Sequence, residues 1–174
     1  LGSTGSIGKI IVDIINKDKK KFDVVLLSAQ KNSKLLLKQA KLLNVKNIII
    51  TKNQSYISLL RKKKKTKLKI FNNYENFNKI FTYKIDYVMN SISGIEGLKP
   101  TLEIIKYTKK IAIANKESII CGWNLIRRQL KNNNTEFIPI DSEHFSINEL
   151  IKDSNKNNIE KIFITASGGP FLNT

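Results

Sequence analysis

What the sequence lacks narrows it first. A single cysteine, Cys121, among 174 residues excludes an internal disulfide framework and fits a reducing compartment. No apolar run approaches the roughly 18 residues of a membrane span, and no secretory signal pattern is visible. Arginine is scarce, at 3 residues against 28 lysines. The formal charge of +17 would ordinarily suggest a nucleic-acid partner. Bidentate recognition of phosphate and guanine favours arginine, however, and the lysines are spread along the chain. Lys, Asn and Ile supply 76 of the 174 residues, the mark of A- and T-rich codons. The run Arg61-Lys62-Lys63-Lys64-Lys65 between two apolar segments reads as a solvated loop. Neither a nucleic-acid nor a membrane partner is expected.

What is present begins at the first residue. Gly2-Ser3-Thr4-Gly5-Ser6-Ile7-Gly8 spaces three glycines three apart, which lets backbone amides approach a pyrophosphate. Ile7, Ile10, Ile11, Ile14 and Ile15 follow at helical spacing, so a helix begins inside the loop and aims its positive end at the anion. Such a loop normally follows a buried strand, of which Leu1 would be the last residue. The expectation is a fragment.

Downstream, apolar runs alternate with amphipathic stretches. Strands are expected over residues 23–28, 47–50, 68–71, 86–90, 111–114, 137–140 and 162–165. Helices are expected between them: one capped by Ser33 and carrying Leu36, Leu37, Ala40 and Leu43, and short ones over 55–60 and around Phe77, Ile80 and Phe81. Two more run from about Pro100 and over 116–131. This rhythm predicts an α/β fold, a Rossmann-like doubly wound and mostly parallel sheet covered by helices on both faces. A break in the rhythm near 140 predicts a dinucleotide-binding domain over 1–140 and the start of a catalytic, metal-binding α+β domain over 141–174.

Ligands of open parallel sheets bind beyond the carboxyl ends of the strands. Four polar clusters fall at such ends: Asn90-Ser91-Ile92-Ser93-Gly94, Asn115-Lys116-Glu117-Ser118, Asp141-Ser142-Glu143-His144 and Thr165-Ala166-Ser167-Gly168-Gly169. If residues 141–143 stay extended, the Asp141 and Glu143 carboxylates project to one side and suit Mg²⁺ or Mn²⁺. If a helix starts there instead, they offset its dipole. His144 is either a ligand or a structural histidine. Ser28-Ala29-Gln30-Lys31-Asn32 lacks the acid that would hold the ribose hydroxyls of NAD. Lys31 either meets a 2′-phosphate, favouring NADP, or is one more solvated lysine.

The ordered set Gly2-Ser3-Thr4-Gly5-Ser6-Ile7-Gly8, Ala114-Asn115-Lys116-Glu117-Ser118, Pro139-Ile140-Asp141-Ser142-Glu143-His144 and Ala166-Ser167-Gly168-Gly169-Pro170-Phe171 resembles the 1-deoxy-D-xylulose 5-phosphate reductoisomerase family. The resemblance implies an NADPH-dependent, divalent-metal-dependent enzyme of isoprenoid precursor synthesis. Such an enzyme rearranges a phosphorylated ketose and reduces the product to 2-C-methyl-D-erythritol 4-phosphate. It implies dinucleotide contacts at Thr4, Gly5, Ser6, Ile7, Lys31, Asn32, Asn115 and Glu117. Metal ligation falls to Asp141 and Glu143, and sugar-phosphate contacts to Lys116, Ser142, Glu143 and Ser167. A homodimer is implied for the full-length protein, in a bacterial cytoplasm or a plastid-type organelle, with the fragment itself inactive. Gln30 replaces a residue that is often Gly in the family, and Phe145-Ser146-Ile147-Asn148 departs from the family's usual continuation. Another NADP-dependent sugar-phosphate oxidoreductase and a basic nucleic-acid-binding module are the rival readings.

Overall fold

The computed structural model describes residues 1–62, 67–154 and 158–164. The chain divides into two units, Leu1–Ile138 and Pro139–Thr174.

In the first unit every strand is parallel to its neighbours. β1 (Leu26–Ala29), β2 (Asn47–Ile50) and β3 (Lys69–Phe71) form one three-stranded sheet in that order. β4 (Ile85–Asn90), β5 (Thr108–Ile113) and β6 (Glu136–Ile138) form a second. β1 meets β2 with Leu27 opposite Ile48, and β4 meets β5 with Val88 opposite Ile111. The strands read as continuous apolar runs because helices cover both of their faces: Ile48, Ile49 and Ile50 are completely buried although they alternate in direction. Leu27, Ile48 and Ile50 pack with Leu36 and Ala40 on one side, while Ile49 belongs to a larger cluster with Phe77, Ile105, Ile111 and Ile126.

The connecting helices are α1 (Ser6–Lys17), α2 (Ser33–Leu42), α3 (Asn53–Lys62), α4 (Phe77–Ile80), α5 (Leu98–Ile104) and α6 (Lys116–Asn132). Their starts follow from capping chemistry. The Asn32 side chain accepts from the Leu35 amide and that of Asn115 from the Ser118 amide. The expected cap at Ser33 is therefore displaced by one residue. Ser33 is already helical, and the Asn32 side chain accepts from the orphan amide three residues on. α5 begins at Leu98, which places Pro100 in the first turn, where its missing N–H costs nothing.

The segment that opens the chain lies between the two sheets. The terminal amine of Leu1 donates to the Met89 carbonyl, the Ser91 amide donates to the Leu1 carbonyl (3.0 Å), and the Ser3 amide donates to the Ser28 carbonyl (2.8 Å). These bonds tie the ends of β1 and β4 to the glycine loop, giving the strand sequence of a doubly wound sheet with its reversal at that loop.

The second unit contains one helix among its described residues, α7 (Ser142–Ile151), capped by Asp141. The extended geometry considered for residues 141–143 is not adopted, because the Asp141 carboxylate accepts from the His144 amide and nucleates a helix. The strand expected over 162–165 is also absent where it is described. Ile162, Phe163 and Ile164 are 50, 87 and 66% exposed and carry no strand pairing. An apolar triplet makes a strand only against a hydrogen-bonding neighbour. Thr165 lies outside the described residues, as do Lys63, Lys64 and Lys65.

Candidate functional site

The reversal point of the first unit holds a crevice of about 510 Å³, where doubly wound sheets bind their ligands. Gly2, Thr4 and Gly5 form one wall, Ala29, Gln30 and Thr51 the ends of β1 and β2, and Ser91, Ile92 and Ser93 the end of β4. Its backbone is built for close approach. Gly2 has φ +74°, and a Cβ there would lie 2.8 Å from the Ser91 carbonyl carbon. A Cβ on Gly8 would lie 2.3 Å from the Gly2 carbonyl oxygen. At the loop's far end Gly5 is the N-cap of α1, which has no side-chain cap and no acidic residue in its first turn. Its orphan amides and positive dipole end therefore meet no anionic side chain of their own helix.

Thr4 and Gly5 line the crevice as the sequence suggests, whereas Ser6 and Ile7 are exposed first-turn residues of α1 outside its lining. At the end of β1 the lining residue is Gln30. Lys31 is exposed beside it, with its carbonyl accepting from Ser33 N (2.8 Å) and Ser55 Oγ (3.0 Å), and Asn32 is occupied as the α2 cap. Lys31→Ala in the intact protein is expected to weaken NADPH about tenfold, or ~1.4 kcal/mol, and to leave NADH unchanged. Dissociation constants from nucleotide fluorescence check this, and equal losses would remove Lys31 from the 2′-phosphate.

The first and second polar clusters do come together. Asn115 Nδ2 donates to the Ile92 and Gly94 carbonyls, while Asn115 Oδ1 caps α6. Asn90, fully buried, donates to the Gly97 carbonyl (3.1 Å) and Thr101 Oγ1 (2.6 Å) and accepts from Ile92 N (3.1 Å). Two asparagines at the ends of adjacent strands thus fix residues 91–97. Asn115, 5% exposed, spends both amide hydrogens on this loop. Lys116 and Glu117 are exposed at the start of α6.

Sequence reasoning missed two residues of the crevice, Tyr74 and Lys99, and the Glu75 that pairs with the lysine. Tyr74 lines it and donates to Ser28 Oγ (3.2 Å), and burial pushes its phenol above the ordinary tyrosine value. Lys99 and Glu75 pair at 2.9 Å, with Lys99 in the lining. The hydrogen bond to Glu75 holds the Lys99 ammonium above its usual range. Tyr74 and Glu75 sit in an irregular stretch with no periodic signal, and Lys99 is one lysine among many.

The carboxylate pair belongs to the second unit. Asp141 Oδ1 accepts from the His144 amide (3.1 Å) and lies 2.7 Å from His144 Nδ1. Ser142 Oγ donates to Glu143 Oε2 (3.2 Å). No group of three or more His, Cys, Asp or Glu residues that could hold a metal occurs among the described residues. Hard oxygen donors from Asp141 and Glu143 still fit Mg²⁺ or Mn²⁺ chemically. A carboxylate offers about four lone-pair positions, so capping a helix leaves Asp141 further acceptor capacity. Ser167 lies outside the described residues.

Parallel strands that reverse order at a glycine-rich helix N-terminus define an α/β domain of Rossmann type. The family model for 1-deoxy-D-xylulose 5-phosphate reductoisomerase matches residues 1–122, and that for the family's C-terminal domain matches residues 137–174. The chain belongs to the 1-deoxy-D-xylulose 5-phosphate reductoisomerase family. It is 59% identical over 174 residues to the reductoisomerase of Pelagibacter ubique, covering 99% of this chain and 45% of the relative. It is 46% identical to that of Wolbachia pipientis wMel, covering 99% and 44%. The chain thus spans just under half the length of these curated relatives. Among solved structures, the Zymomonas mobilis reductoisomerase in complex with NADPH superposes with a TM-score of 0.88 at 33% identity, over 99% of this chain and 46% of that one. A DOX-P reductoisomerase in complex with NADPH, fosmidomycin and magnesium gives 0.74 at 29%, over 82% and 36%.

Proposed function

We propose that the protein is the NADPH-binding and metal-ligating part of a reductoisomerase that converts 1-deoxy-D-xylulose 5-phosphate to 2-C-methyl-D-erythritol 4-phosphate in isoprenoid precursor synthesis. The observation that carries the reading is the crevice at the sheet reversal, walled by Gly2, Thr4 and Gly5 and facing the uncapped start of α1. In this reading the loop amides and the α1 dipole hold the pyrophosphate, Lys31 meets the 2′-phosphate, and Asn115 shapes the nicotinamide end by fixing residues 91–97. Lys116 and Glu117, at the start of α6 just past β5, face substrate and cofactor respectively. Asp141 and Glu143 would hold the divalent cation, with Ser142, Glu143 and Ser167 contacting the sugar phosphate. When bound, the cation supplies Lewis-acid stabilisation of oxyanion charge and NADPH supplies the hydride.

As part of the same proposal, residues 1–140 form the cofactor domain and residues 141–174 open the catalytic domain. The intact protein works as a cytoplasmic homodimer without a nucleic-acid partner. No described helix is long and apolar enough to cross a membrane. The intact protein is expected to oxidise NADPH when given deoxyxylulose phosphate and Mg²⁺, followed by nucleotide absorbance. NADPH binding without consumption of this substrate would overturn the reaction while leaving the cofactor domain standing.

A further inference from the structure

Gln39 lies on the buried side of α2, is 4% exposed, and devotes its amide to one residue of the glycine loop. Its Nε2 donates to the Ser3 carbonyl at 2.8 Å, and its Oε1 accepts from Ser3 Oγ at 2.8 Å. The amide can sit only this way round, since the reverse would set its oxygen against the Ser3 carbonyl oxygen. Ser3 Oγ also lies 3.3 Å from the Ser28 carbonyl, but one hydroxyl hydrogen serves the shorter contact. Ser28, fully buried, continues the chain of contacts by accepting from Gly2 N (3.0 Å) and from Tyr74 (3.2 Å). From the other side Ser91 Oγ donates to the Leu1 carbonyl at 2.8 Å. Gln39 itself is not in the crevice lining.

We propose that Gln39 is a positioning residue for the dinucleotide, acting through Ser3 to hold Thr4 and Gly5 against the crevice. The inference rests on the reading of the crevice as an NADPH site. Without the Gln39 amide, the buried Ser3 carbonyl loses this partner and the Ser3 hydroxyl keeps only the longer contact to the Ser28 carbonyl. The least costly relief is for Ser3 to swing toward the water of the crevice, carrying Thr4 and Gly5 with it. Ground-state binding of the nucleotide then suffers while the groups that face the sugar phosphate stay in place. A glutamine that merely stabilised α2 would affect melting and spare the cofactor.

The test uses the intact protein with two variants. Gln39→Leu, close in volume, removes both bonds. It is expected to raise the NADPH dissociation constant and KM about tenfold, with kcat at saturating NADPH and the sugar-phosphate KM within about twofold of wild type. Ser3→Ala removes only the hydroxyl bond and is expected to raise the NADPH constant about threefold. It decides the matter alone should Gln39→Leu fail to fold. The inference is overturned if folded Gln39→Leu binds NADPH as wild type does, or if kcat falls as far as affinity. It is equally overturned if Gln39→Leu does not fold and Ser3→Ala leaves NADPH binding unchanged. Because binding is read without turnover, a wild-type protein that binds NADPH but ignores the sugar phosphate refutes the proposed reaction and not this one.

Discussion

Gly8→Ala is expected to destabilise the protein by about 2 kcal/mol and to weaken NADPH by about a hundredfold. The sign is decided by two opposing terms. Alanine in place of glycine within a helix is worth about 1 kcal/mol of propensity, and Gly8 is the third residue of α1. Against it, the new Cβ would lie 2.3 Å from the Gly2 carbonyl oxygen and 2.6 Å from Ser3 Cα. Both are backbone atoms that no rotamer change can clear, and forced overpacking of this kind costs roughly 3 kcal/mol. The loop must move, and with it the amides that face the anion. Thermal melting gives the first quantity, and nucleotide fluorescence in the intact protein gives the second. An alanine variant with unchanged NADPH binding would show that α1 does not need to approach the loop this closely.

Most of the sheet was legible in the sequence, for a physical reason. Parallel strands are buried on both faces, so runs such as Ile48-Ile49-Ile50 are continuously apolar and stand out from the lysine-rich helices around them. Boundaries were less legible. Asn32 and Ser33 are adjacent candidates for the same cap, and only the backbone decides between them. Ile162-Phe163-Ile164 has the composition of a strand but no pairing partner among the described residues, which is a property of the fold and not of the triplet. The site divides in the same way. The glycine loop is a local motif, so Thr4 and Gly5 could be read directly. Asn115 also belongs to a motif, yet its bonds to residues 92 and 94 depend on tertiary structure, and its amide serves the protein before any ligand. Gln39 did leave a signal. Leu36, Gln39 and Ala40 of α2 and its C-cap Leu43 fall at i, i+3, i+4 and i+7, which puts one polar residue on an apolar stripe. A buried polar group must find a partner, and only the fold reveals that the partner is Ser3.

Asp141→Asn and Glu143→Gln are each expected to lower turnover in the intact protein by at least a hundredfold while NADPH affinity stays unchanged. The two substitutions separate charge from architecture. Asparagine caps a helix as well as aspartate does, so Asp141→Asn keeps the bond to the His144 amide that starts α7. What it removes is one negative charge, and with it a hard anionic donor for a divalent cation. Glu143→Gln likewise preserves shape and a carbonyl acceptor for Ser142 Oγ. Lewis-acid stabilisation by a bound cation is worth several kcal/mol, and each 1.36 kcal/mol is a factor of ten in rate. Weakened ligation alone therefore accounts for a loss of this size. Raising Mg²⁺ should recover part of it, because the defect is in metal affinity, whereas raising NADPH should recover none. His144 supplies the control: its Nδ1 sits 2.7 Å from Asp141 Oδ1, an exposed contact that a cation on Asp141 would displace. His144→Ala is accordingly expected to retain activity and to need no more Mg²⁺ than the wild type. Steady-state NADPH oxidation across a Mg²⁺ titration reads all three variants. Full activity of Asp141→Asn at ordinary Mg²⁺ would reduce the aspartate to a helix cap and remove it from the metal site.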